Sequence, residues 1–203
     1  NAELVKPYSD DMLFVNLYGS YNGRLEFNTH FNQKISDKWS AGLYIHGNDR
    51  SKKIDNNKDN FLDVPLAKQI NIMNRWQYQD LQKGWISFLS FRYLSDEKLA
   101  GEVDFNPSVD KFTSNSWGSE INTNRLDATA KVGYVFPKIP YQSFGFQVAY
   151  SSHNQDSYYG LQTYEIKHKS VYSNLLFNSI IGDTRNKFKT GFTFTYDNYN
   201  EYV

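Results

Sequence analysis

The sequence predicts an all-β fold, a transmembrane antiparallel β-barrel, from three observations. Apolar and polar residues alternate with a period of two over many segments. Tyr, Phe and Trp are abundant, at sixteen, fifteen and four residues of 203. The links between segments also sort by length. Mean hydropathy is −0.67, which excludes an apolar helical span but not a barrel strand, where only every second side chain meets lipid. Tyr and Trp suit a membrane–water interface, because an apolar ring can lie below a polar tip. Cys is absent, in keeping with an exported bacterial protein, and 22 basic residues balance 22 acidic ones. That balance gives no basic surface for nucleic acid.

Nine strands are expected, near 12–21, 24–35, 39–50, 69–80, 85–99, 120–136, 143–153, 163–181 and 188–200. In the second, Leu25, Phe27, Thr29, Phe31 and Ile35 oppose Glu26, Asn28, His30, Asn32 and Lys34. After Ser36-Asp37-Lys38 the pattern restarts, with Ala41, Leu43 and Ile45 against Ser40, Tyr44, His46 and Asn48. The last strand sets Phe188, Thr190, Phe192, Phe194 and Tyr196 against Lys189, Gly191, Thr193, Thr195 and Asp197. Such alternation means one apolar and one polar face. Both faces are mixed between Trp85 and Leu94, so facing is undetermined there.

Short links are expected at Ser36–Lys38, Leu81–Gly84, Pro137–Gln142 and Gly182–Lys187. Longer polar links are expected between them, at Ser51–Lys68, Ala100–Ser119 and Asn154–Gln162. Asn22-Gly23 breaks the rule and suits a tight type I′ turn. Outer-membrane barrels place short turns at one end and long loops at the other, whereas a soluble sandwich has no reason to do so. Single-chain bacterial barrels usually hold an even number of strands, so nine suggests a portion of a larger barrel.

Particular stretches carry a resemblance. These are Ser36-Asp37-Lys38-Trp39-Ser40-Ala41-Gly42-Leu43-Tyr44, Asn74-Arg75-Trp76-Gln77-Tyr78 and Phe91-Arg92-Tyr93-Leu94-Ser95-Asp96-Glu97-Lys98. Gly101-Glu102-Val103 and Arg185-Asn186-Lys187-Phe188-Lys189-Thr190-Gly191 complete the set. Together they resemble barrel segments of TonB-dependent outer-membrane receptors of the Bacteroidetes type. The resemblance implies a barrel of about 22 strands, with residues 1–7 as the junction after a plug domain and 8–203 as its N-terminal strands. It further implies a multi-pass outer-membrane location in contact with lipid, and coupling to the TonB complex through a region before this segment. A surface lipoprotein is an implied partner. The implied cargo is a small molecule or metal chelate: an iron siderophore, haem, cobalamin or a glycan. A small autonomous barrel with a structural, adhesive or enzymatic role is the alternative.

Several residues are candidate sites, each with two readings left open. Asp55, Asn57, Asp59 and Asp63 form D-x-N-x-D-x-x-x-D, which resembles the opening of a calcium loop. Asn60 stands in place of the usual turn Gly and Leu66 in place of the closing acid, so a solvated polar loop explains them as well. His30 and His46 are expected to face the lumen as diagonal neighbours, with His46 opposite Asn28. They can touch a ligand or a metal, or form part of a polar wall that packs on a plug or on water. Arg75 and Arg92 are also expected there, gripping an anionic cargo by bidentate hydrogen bonds or bridging to plug carboxylates. Trp117, Tyr158 and Tyr159 fall in outer loops, to stack on a flat ligand or to form an interface girdle. Four histidines, His30, His46, His153 and His168, permit a catalytic triad in principle, yet no G-x-S-x-G motif accompanies them, and no enzyme is expected.

Overall fold

The computed structural model describes Pro7, Ser9 and residues 11–203. Most of the expected junction, residues 1–6, lies outside the described residues. The rest forms β1 (Leu13–Gly19), β2 (Arg24–Lys34), β3 (Trp39–Arg50), β4 (Leu66–Asp80), β5 (Trp85–Gly101), α1 (Pro107–Asp110), β6 (Gly118–Val135), β7 (Ser143–Tyr159), β8 (Gln162–Ile181) and β9 (Asp183–Tyr202). Among the described residues the nine strands make one antiparallel sheet in chain order, each paired to the next. The fold is thus all-β, as expected. The sheet is not closed, and β1 and β9 are its two edges.

Three links differ from expectation, and one of them, Gly182–Lys187, shrinks to Gly182 because β9 begins at Asp183. Gly23 has φ 72°, but Asn22 is not in the left-handed region, so a type I′ turn is excluded. The Gly23 amide instead bonds Ser20 O at 3.0 Å and the Ser20 amide bonds Arg24 O at 2.9 Å. This is a longer hairpin loop ending on a left-handed glycine. Asn154–Gln162 is also not a long loop. β7 continues to Tyr159, pairing Asn154 with Lys167 and Asp156 with Glu165. Polar residues on both faces resemble a loop in sequence, but main-chain pairing needs no apolar face where both sides meet water.

The side chains divide into two faces. One face carries Leu25, Phe27 and Phe31 of β2, Leu43 and Ile45 of β3, Ile70, Ile72, Trp76 and Tyr78 of β4, and Trp85, Leu89, Phe91 and Tyr93 of β5. It continues through Leu126, Val132 and Tyr134 of β6, Phe144, Phe146 and Val148 of β7, Leu175 and Phe177 of β8, and Phe188, Phe192, Phe194 and Tyr196 of β9. The mixed region resolves here: Trp85, Leu89, Phe91 and Tyr93 share the apolar face, while Ile86, Phe88, Ser90 and Arg92 take the other.

No second layer covers the apolar face. Phe105 and Tyr158 are the buried hydrophobics among the described residues, and both lie near the long loops rather than between layers. Leu17, Phe192 and Leu25 are 75%, 67% and 61% exposed. Each such side chain forgoes about 1.5–3 kcal/mol of burial in water.

The apolar band is oblique to the strands. Leu25, at its upper limit on β2, connects by register through Asp49, Lys68, Glu97, Asn122, Asp156 and Glu165 to Tyr202. On β9 the band begins at Tyr196, six residues lower. Six residues of rise across seven strand spacings is about 20 Å over about 34 Å, a slant of about 30°. From Trp85 to Tyr93 the band spans nine residues of β5, the length of a tilted strand crossing a bilayer core. Rings cluster at its turn end, where Trp39 meets Tyr78 at 5.0 Å and Trp85 meets Tyr134 at 4.5 Å.

Candidate functional site

The opposite face is polar, and the sheet curls around it. One concavity of about 730 Å³ is lined by side chains from Phe14 on β1 to Tyr172 on β8. Register places the functional groups of this face on two adjacent rungs. The first runs Asn28, His46, Asn71, Leu94, Arg125, His153, His168 and Tyr199. The second, two residues nearer the short turns, runs His30, Tyr44, Met73, Arg92, Asp127, Ser151, Ser170 and Asp197. All four histidines of the chain therefore face one side.

His30 and His46 sit as diagonal neighbours, with His46 opposite Asn28. His46 Nδ1 lies 2.6 Å from Asn28 Oδ1, so an imidazole N–H at that position donates to the amide oxygen. His30 stacks on Phe14 at 5.3 Å and tilts against Tyr44 at 5.7 Å. The Tyr44 hydroxyl donates to Asn32 Oδ1 at 2.9 Å. A side chain at position 42 would put its Cβ 2.4 Å from that same oxygen, so glycine keeps this contact open.

Arg75 and Arg92 both lie on the polar face. Arg75 is 9% exposed, with its guanidinium 5.4 Å from the Phe88 ring centroid. Arg92 donates from Nε to Asn71 Oδ1 at 3.0 Å, and its Nη1 is 3.9 Å from Asp127. Arg125 donates Nε to both Asp127 oxygens at 3.0 Å. Sequence reading did not single out Arg125 or Asp127. The signal was there, because they alternate with Leu126, Ala128 and Ala130.

On β8 and β9, His168 Nε2 meets Asp197 Oδ1 at 2.9 Å and stacks on Tyr199 at 4.0 Å and 4°. Asp197 also bonds Ser170. The carboxylate stands between histidine and serine here, whereas a nucleophilic triad needs the imidazole in the middle.

The aromatics expected in outer loops are not gathered into this site, and Tyr158 and Tyr159 close strand β7 rather than lying in a loop. Tyr158 is 1% exposed, packed under Phe105 and Phe112 at 6.2 and 5.6 Å, so it offers no ring face to a ligand. Adjacent strand residues point to opposite sides, which separates it from the 43% exposed Tyr159. Burial pushes the Tyr158 hydroxyl up to about 12, with Glu120 adding to the effect. Trp117 is 47% exposed and packs on Phe61 at 6.2 Å.

The acidic loop is tied to its own backbone. Asp55 accepts from the Asp59 amide at 3.2 Å and the Asn60 amide at 3.0 Å. Asp59 accepts from the Phe61 amide and from Asn57 Nδ2, both at 2.8 Å. Asp63 accepts from the Asn56 amide at 2.9 Å. No group of three or more His, Asp or Glu among the described residues is arranged to hold a metal ion. Asn57 is bound to Asp59 rather than aimed at a shared centre.

The two long loops are joined. Phe61 bridges Glu102, the Leu62 amide bonds Gly101 O at 2.9 Å, and the Val103 amide bonds Asn60 O at 2.9 Å. Glu102 in turn accepts from the Trp117 amide at 2.7 Å. The chain matches no family model, no curated protein and no solved structure.

Proposed function

We propose that the chain is part of the wall of a transmembrane β-barrel in a bacterial outer membrane, a TonB-dependent receptor that imports a scarce, bulky nutrient. The observation that carries the reading is the two-faced single layer. An uncovered apolar band, slanted by about 30° to the strands, opposes a polar face that carries every histidine of the chain. Strands in membrane barrels tilt by about 35–45°, so a horizontal lipid layer crosses them obliquely. Lipid supplies the apolar contact that water denies, and the polar face lines the interior. Further strands on β1 and β9 would satisfy the edge amides, each of which costs several kcal/mol if left unpaired in lipid.

Insertion is tested by refolding the chain into lipid vesicles. Protease protection of the strands, with heat-modifiable migration on a gel, is the expected result. A chain that stays soluble and fully digestible would sink the membrane reading. The transport role is tested by growth of a deletion strain on defined iron and vitamin sources. A calcium ion in the first long loop is the finer part of the proposal. It would replace backbone amides as the partner of Asp55 and Asp59, and calcium-dependent protection of residues 51–65 is its test.

A second reading is favoured by one observation. The concavity touches β1 and β8 at once, a curl tight enough for an autonomous barrel of about eight to ten strands. A stable, closed monomer formed by this chain alone would select it.

A further inference from the structure

We propose that the polar face binds an oxyanion-bearing ligand, a carboxylate or phosphate group seated between Arg92 and Arg125. The inference rests on reading that face as the ligand-bearing wall, and it names the cargo's charge. Arg92 and Asp127 are direct partners across β5 and β6. Arg125 lies one rung above, two residues from Asp127 on the same strand. Two guanidiniums thus share one carboxylate, leaving one positive charge in excess. Guanidinium stays protonated at any working pH, so the excess is permanent.

The donor count agrees with the charge count. Arg125 commits Nε and Nη2 to Asp127, the latter at 3.0 Å. Arg92 commits Nε to Asn71 and leans Nη1 toward Asp127. Arg92 Nη2 and Arg125 Nη1 have no partner among the described residues. Both side chains keep about two-fifths of their surface, at 40% and 41%, and both line the 730 Å³ concavity. A volume of that size suits a small organic ligand.

The surroundings do not cancel the charge. Asp197, the other acid on these two rungs, is bound to His168. His153, directly opposite Arg125, encloses Nδ1 without a hydrogen-bond partner. Asn28, Ser90 and Ser151 line the same space and can bond the ligand's neutral groups. Two forked donors that already converge on a carboxylate are arranged for a second one. A cation would meet the excess charge, and a wholly neutral ligand would leave it unanswered.

The test is calorimetric titration of the full chain in nonionic maltoside micelles at fixed ionic strength, using citrate and inorganic phosphate as probes. Micelles doped with phosphatidylglycerol form a third arm, which separates a soluble ligand from a lipid headgroup. The expected result is one saturable site for citrate or phosphate, weakened at least about tenfold by Arg125→Gln and by Arg92→Gln. Asp127→Asn removes the internal competitor and is expected to tighten binding. No saturable binding of either probe would overturn the proposal, as would wild-type affinity in Arg125→Gln or response to phosphatidylglycerol alone. If the glutamine variants misfold, Asp127→Asn decides, since unchanged or weaker binding there also overturns it. Heat-modifiable migration of the same sample reports folding separately, so loss of the barrel reading and loss of the anion site are distinguishable.

Discussion

Lys38, in the turn after β2, donates a 2.6 Å hydrogen bond to Asp80, the last residue of β4. Asp80 also accepts from the Lys83 amide at 3.1 Å, so one carboxylate fastens two neighbouring turns. The ammonium holds Asp80 below the usual carboxylate range, and Asp80 holds Lys38 above the usual amine range. A lowered carboxylate pKa stabilises the fold above the unfolded value, near 4, and that contribution fades as pH falls through the lowered value. The raised Lys38 pKa acts at the other extreme, its contribution fading only as pH rises beyond about 10.5. Hydrogen-exchange protection of the Gln79 amide, which bonds Lys38 O at 2.8 Å, is expected to drop at acid pH. In Asp80→Asn it is expected to be lower at neutral pH and to lose that acid step. An acid step of unchanged size in the variant would assign it to another group.

Leu89 lies midway along the β5 part of the apolar band, between Trp85 and Tyr93, and is 41% exposed. Leu89→Arg is expected to cost about 2–4 kcal/mol of insertion stability, the range for a cation near the bilayer midplane. Thr195→Arg, on the polar face of β9, is expected to cost much less. Urea unfolding of both variants from vesicles measures the difference. Equal costs would mean that the two faces do not meet different solvents.

The sequence made the faces legible wherever alternation was strict, as in β2, β3 and β9, because a period of two reports burial on one side alone. It was uninformative in β5, where Ile86, Phe88 and Leu94 are apolar yet share the polar side with Arg92. The structure gives Phe88 a reason, since the Arg75 guanidinium lies over its ring. Several strand ends were misread as loop, at Leu66–Lys68, Ala100–Gly101, Gly118–Ser119, Asn154–Tyr159 and Asp183–Lys187. Past the apolar band both faces are wet, and polarity no longer distinguishes strand from loop. The calcium-like spacing has a second use in this loop. Acids four residues apart also cap turn amides, as Asp55 and Asp59 do. Arg125 and Asp127 needed the register across β5 and β6 before they became a pair with Arg92.

Phe105 anchors the loop between β5 and β6. It is 4% exposed, and a side chain at position 118 would place its Cβ 2.3 Å from the Phe105 ring. The absence of a Cβ at Gly118 makes room for this docking. Phe105→Ala is expected to remove about 3 kcal/mol of local packing, making residues 102–117 the first site of limited proteolysis. Because Phe61, Leu62 and Val103 link this loop to the preceding one, residues 51–65 should become susceptible in the same variant. Cleavage confined to 102–117 would show that the loops open separately.

Tyr158 is enclosed by the same cluster, with Lys111 Nζ 4.3 Å from its ring centroid. Its hydroxyl is buried without a hydrogen-bond partner. Deleting an unsatisfied buried hydroxyl while keeping the ring is nearly neutral or stabilising, so Tyr158→Phe should not loosen the loops. The alkaline behaviour follows from the value near 12 in the folded protein. An unfolded tyrosine ionises near 10, so the folded state loses relative stability as pH rises from about 10 to about 12. Proteolysis of residues 102–117 should therefore accelerate over that interval in the native chain and less in Tyr158→Phe. An equal acceleration in both would place the alkaline sensitivity on another group. Spectroscopic titration at the phenolate band supplies the independent check, with one tyrosine of the native chain ionising late and that late step missing from the variant.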